Sequence, residues 1–158
     1  MKAKLLLFIF LFYSVCVTAK QAPNFSLESS GLQGQLSELQ GQVVYLDFWA
    51  SWCKPCRKSF PWMNTMQQRY AAKGLQIITV NLDQDPKLVD QFLSKVSSNL
   101  PIVYDPQGNI AKAYQLLGMP SSYLIDRQGN IRQTHQGFFN KKTARYEQEI
   151  KLLLNELE

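Results

Sequence analysis

Cys53-Lys54-Pro55-Cys56 follows directly on the apolar run Val43 to Ala50, with only Ser51-Trp52 between them. The run reads as a buried strand over 43–50, because it is continuous, β-branched and aromatic. After it, Phe60, Met63, Met66 and Tyr70 recur at helical spacing and predict a helix from about Cys53 to Ala72. A core strand therefore hands the chain to a helix across two residues, and two thiols sit at the junction. Unpaired N–H groups and the macrodipole at a helix N-terminus favour negative charge. A cysteine there is biased toward thiolate, the form that attacks disulfides. The second cysteine, three positions on, shares the helix face and can close a disulfide with the first. The junction reads as a redox couple.

Other uses of the pair fit less well. A structural zinc needs about four ligands, and only Cys16 and His135 remain in the chain. Haem attachment calls for a histidine after the second cysteine, and residue 57 is Arg. A loop this small removes little chain entropy, so a purely structural staple is a poor explanation.

The 158 residues, 46% of them hydrophobic, suffice for one domain with a real core. Residues 1–19 read as a signal peptide, with Lys2 and Lys4 before the apolar stretch Leu5 to Tyr13 and Val17-Thr18-Ala19 at the cut. An uncleaved membrane anchor is the alternative, although the stretch is short for a span. Cys16 reads as filler in this leader. The domain then occupies 20–158 and is expected in the periplasm or another extracytoplasmic space. An exported chain with two mature cysteines, spaced Cys-x-x-Cys, handles the disulfides of others rather than carrying its own. Losing Lys2 and Lys4 leaves 15 basic against 12 acidic residues. That mild excess, without a Lys/Arg run, argues against a nucleic-acid partner.

Along the mature chain, residues 22–27 read as an extended lead-in, with a turn at Gly31 and Gly34. Gly74 stops the first helix, which Pro61 should kink without breaking. A second buried strand follows over 75–82. Asp85-Pro86 caps a helix to about Val96. Then come a short strand at 102–104, a helix near 109–117 and a hairpin of strands at 121–126 and 130–137. A final amphipathic helix covers Lys141 to Leu154. This order predicts an α/β fold, a mixed central sheet with helices on both faces.

The run Asp47 to Cys56, with Pro61 and Gly118-Met119-Pro120 after it, closely resembles the thioredoxin superfamily. The lead-in and the added strand–helix material around 84–112 resemble its exported TlpA/ResA-like branch, so the expected fold is thioredoxin-like and three-layered. By that resemblance Cys53 is the exposed nucleophile and Cys56 the buried resolving thiol of a redox-active disulfide. Asp47 matches the family's buried acid, a proton acceptor for Cys56, and burial in an apolar strand should raise its pKa. The family's cis-proline falls at Pro120. Met119 would then offer its backbone to an extended substrate, with Trp52 walling the site beside Trp49. Thr79 stands where thioredoxin keeps a lysine near its acid. Lys54, Arg57 and Lys58 make the surroundings electropositive, which favours thiolate and a less reducing couple unless all three simply face solvent. His135 is expected at the surface.

The resemblance implies a monomeric reductase without a cofactor or metal. Its partners would be client proteins with disulfides, as in cytochrome c biogenesis, and a membrane electron donor of the DsbD/CcdA type. Two other functions fit the same thiols: an oxidant that donates its disulfide, or a Cu(I)-binding protein. A peroxidase would carry a Thr/Pro context before the first cysteine that is missing here.

Overall fold

A computed structural model describes residues 20–156; the leader read over 1–19 lies outside the described residues. Six strands form one sheet in the order β1-β6-β5-β2-β3-β4. They are β1 (Lys20–Gln21), β2 (Val43–Trp49), β3 (Leu75–Asn81), β4 (Ile102–Tyr104), β5 (Ser121–Ile125) and β6 (Asn130–Gln136). The helices are α1 (Cys56–Tyr70), α2 (Pro86–Val96), α3 (Asn109–Ala113) and α4 (Thr143–Asn155). β2, β3 and β4 run parallel, while β5, β6 and β1 alternate antiparallel, so the sheet is mixed.

β2 lies at the centre because every one of its residues is buried. Alternate side chains then serve opposite layers. Val43, Tyr45 and Trp49 meet Phe60, Met63 and Met66 of α1, Val89 and Phe92 of α2, and Ile150 and Leu153 of α4. Val44, Leu46 and Phe48 meet Tyr114, Ala111 of α3, and Leu27 and Leu36 of the lead-in. Helices thus cover both faces, but unevenly: three on one, and a short helix plus irregular chain on the other.

Several boundaries differ from expectation, three of them for clear physical reasons. α1 starts at Cys56, not Cys53, because a residue preceding proline is kept out of the helical region, and Lys54 precedes Pro55. The helix does run unbroken through Pro61, and a short 3₁₀ turn at Ala71–Lys73 extends it to Gly74, which takes φ 92°. α3 ends at Ala113, ahead of the left-handed Gln115 (φ 53°). The lead-in is also more than extended chain, since Lys20–Gln21 pairs with Asn130 and Ile131 as an edge strand.

Candidate active site

The strand–helix junction is built as a turn fastened at both ends. The Cys53 N–H donates to Ala50 O at 3.0 Å, and the Cys56 N–H donates to Cys53 O at 3.1 Å. From the loop just after β3, Asp83 holds the turn. Its carboxylate accepts from Ser51 N at 2.8 Å and Ser51 Oγ at 2.9 Å, and also from Asn81 Nδ2 at 2.8 Å. Asp83 is itself fixed by its N–H donating to Asn81 Oδ1 at 3.0 Å. Sequence reading missed Asp83 and Asn81; the signal was two polar residues at and just beyond the end of a buried strand, where a loop must be anchored.

Cys53 and Cys56 form a disulfide, with Sγ atoms 2.02 Å and Cα atoms 5.4 Å apart. Cys53 lies just ahead of the first turn of α1 and retains 4% of its surface, whereas Cys56 retains none. In the closed disulfide the first thiol is therefore less open than expected, yet it is the one that reaches solvent. The exposure at the site belongs to Trp52, two-thirds exposed beside Cys53, and to Leu117 ahead of the Gly118-Met119-Pro120 segment. Met119 packs against the core cluster that contains both cysteines, and the Met119–Pro120 bond is cis. Gly137 N donates to Pro120 O at 2.7 Å, so the end of β6 fastens this segment.

Trp49 and Trp52 part company. Trp49 is wholly buried, its ring centroid 4.9 Å from Phe60 and 4.6 Å from Phe92, and it is core rather than wall. Lys54, Arg57 and Lys58 are all exposed. Solvent screening dilutes their pull on a thiolate, and Arg57 lies over the Phe92 ring at 6.0 Å instead of turning inward.

Asp47 shares the β2 face of Tyr45 and Trp49, beneath α1. It is 2% exposed, and its Oδ2 has no hydrogen-bond partner. Burial pushes its carboxyl well above the usual carboxylate range. Thr79, its register partner on β3, gives it nothing, because Thr79 Oγ1 donates to Pro101 O at 3.0 Å. Tyr45 is also raised, first by burial and then by the Asp47 charge.

His135 is not the surface residue the sequence suggested. It lies between β6 and α4 with its side chain 12% exposed, Nε2 2.7 Å from Glu149 and Nδ1 3.3 Å from Ser122 Oγ. Among the described residues, no three His, Cys, Asp or Glu side chains group as a metal site.

A buried disulfide behind an exposed tryptophan, with an uncompensated carboxyl in the same layer, is equipped for thiol–disulfide exchange. A family model described as Redoxin matches residues 18–150. The thiol-disulfide oxidoreductase ResA of Bacillus thuringiensis subsp. konkukian (strain 97-27) is 36% identical over 119 residues, 75% of this chain and 69% of that protein. ResA of Bacillus subtilis (strain 168) is 35% identical over 111 residues, covering 70% and 62%. A crystal structure of a putative thiol:disulfide interchange protein DsbE from Chlorobium tepidum matches with a TM-score of 0.82 at 44% identity, over 87% of this chain and 97% of that one.

Proposed function

The chain belongs to the Redoxin family and is a thiol–disulfide oxidoreductase of the ResA/DsbE type, and on that premise we propose that it reduces client disulfides outside the cytoplasm. The observation that carries this reading is the Cys53–Cys56 pair, closed as a disulfide at the strand–helix junction with Trp52 exposed beside it. Cys53 Sγ attacks a client disulfide, forms a mixed disulfide and expels the first client thiolate. Asp47 then accepts the Cys56 thiol proton, and Cys56 Sγ attacks Cys53 Sγ. The mixed bond breaks, the second client sulfur leaves with the electron pair, and the two client cysteines end reduced. Trp52 and the Met119-Pro120 segment flank the cysteines, and the client lies across them.

The leader signals support export, with cleavage after Ala19. Among the described residues no helix is long and apolar enough to cross a membrane. Electrons come from a membrane protein of the DsbD/CcdA type, and the clients are cysteine-bearing exported proteins, apocytochrome c foremost, with the protein acting as a monomer. The copper reading is weaker, since His135, the added ligand it would call on, is engaged by Ser122 and Glu149.

Trapping tests the proposal. A Cys56→Ser chain recovered from the exported fraction should carry mixed disulfides on Cys53, with thiol-bearing exported proteins identified by mass spectrometry, and an N-terminus at Lys20. Adducts confined to cytosolic proteins, on a chain retaining Met1, would overturn the location and the client class.

A further inference from the structure

Four residues cross the sheet at one level, each the register partner of the next: Thr79 on β3, Asp47 on β2, Ser122 on β5 and His135 on β6. Directly opposed residues share a face, with Cβ atoms about 4.5–5.5 Å apart. The Ser122 hydroxyl is therefore a neutral donor placed beside the unpartnered Asp47 Oδ2. It does not serve that oxygen, because it is committed the other way.

That commitment follows from proton counting. Glu149 accepts from Arg145 Nε at 2.8 Å through one oxygen and lies 2.7 Å from His135 Nε2 through the other. A carboxylate only accepts, so Nε2 carries a proton, and in the neutral ring Nδ1 is then an acceptor. Ser122 Oγ, 3.3 Å from Nδ1, is the donor to it. The Tyr45 hydroxyl donates into the same Ser122 oxygen at 2.8 Å. The only proton on Ser122 is thus drawn away from Asp47 along a chain that runs Tyr45, Ser122, His135, Glu149.

We propose that His135 is a positioning residue for Asp47: by taking the Ser122 hydroxyl proton it leaves the buried carboxylate without a donor and keeps it a strong base. The inference rests on Asp47 serving as proton acceptor for Cys56. A carboxylate that gains even one hydroxyl donor binds its proton less tightly, and would then draw the Cys56 proton less well.

The groups that face the row are few. Toward His135 they are Glu149, Arg145 and Tyr146 of α4, Lys142 of the preceding turn, and Tyr45 through Ser122. Glu149 favours a proton on the ring, while Arg145, Lys142 and, most strongly, burial oppose it, so the ring stays neutral near pH 7. Asp47 is governed by burial alone, with Tyr45 a titratable neighbour on its own strand.

The proton affinity of Asp47 can be read without any activity, because the stability difference between a protein and its Asp47→Asn partner changes with pH through the native midpoint of that carboxyl. Urea unfolding across pH, with the disulfide closed, is measured for this pair in three backgrounds: otherwise unchanged, His135→Phe, and His135→Phe with Ser122→Ala. Phenylalanine keeps a ring against Tyr146 and removes the acceptor nitrogen. The Asp47 midpoint should fall by about one pH unit in His135→Phe, the worth of one added hydrogen bond, and return in the double background, where the Ser122 hydroxyl is gone. An unmoved midpoint in His135→Phe overturns the proposal, as does an equal fall with Ser122 absent. Mixed-disulfide release by the Asp47→Asn protein separates the two readings. Unchanged release removes Asp47 as the base whatever the midpoint does, whereas slowed release with an unmoved midpoint removes only the role of His135.

Discussion

Asp47 carries a clear energetic signature. Its native pKa is raised by burial above the ordinary value of 3.8, so the unfolded carboxyl ionises first. Native stability is therefore undiminished below about pH 4 and declines as pH rises through the native midpoint. An Asp47→Asn protein should be more stable than the parent at neutral and alkaline pH and nearly equal to it in acid, as measured by denaturation with the disulfide closed. A difference that does not vary with pH would show a solvated carboxyl. Burial acts oppositely on His135, whose pKa is lowered from 6.5, so that side chain costs stability only as pH falls below that value. At this scale the sequence was legible where chemistry was concentrated: Cys53, Cys56 and Asp47 lie within ten consecutive positions, and an acid inside an apolar run announces itself. Ser122 and His135 were not legible, because their partners sit 77 and 14 positions away and only sheet register brings them together.

The element that matters most to the chemistry is the junction between β2 and α1, and its rigidity comes from β3. Asp83 accepts three hydrogen bonds there, two of them from Ser51. Replacing it with alanine leaves those donors unpaired in a largely buried place. Asp83→Ala should lose about 2–4 kcal/mol of stability and slow disulfide exchange, since the turn that presents Cys53 loses its anchor; equilibrium unfolding and exchange kinetics check the two effects. Unchanged stability together with unchanged exchange would mean that the backbone bonds of Cys53 and Cys56 hold the turn unaided. Strands and long helices were readable from periodicity, and β2, β3, α2 and β6 lie within a residue of expectation. The start of α1 was not readable, because it is decided by the steric effect of Pro55 on Lys54 rather than by the apolar stripe. The edge strand β1 was missed as a strand, since two exposed residues carry no alternating pattern.

For the whole molecule, the uneven covering of the sheet explains where the site sits. α1, α2 and α4 share one face, and the parallel β2–β3 pair delivers both the cysteine turn and its Asp83 anchor at the same end. Leu117 and the cis Met119–Pro120 bond come from the loop before β5, the strand that flanks β2 on its other side. The sequence showed the α/β class and the mixed sheet through the order of its elements. It did not show that the second face is closed chiefly by the lead-in, because residues such as Leu27 and Leu36 lack a regular period. The chemistry depends on Cys53 and Cys56 being a reversible couple in which Cys53 is the nucleophile. The most direct measurement is a timed pulse of iodoacetamide on the fully reduced protein at pH 7, with modification of each cysteine quantified by peptide mass spectrometry. Cys53 should be alkylated first, with Cys56 following only slowly from its buried position; equal rates at the two thiols would contradict the account.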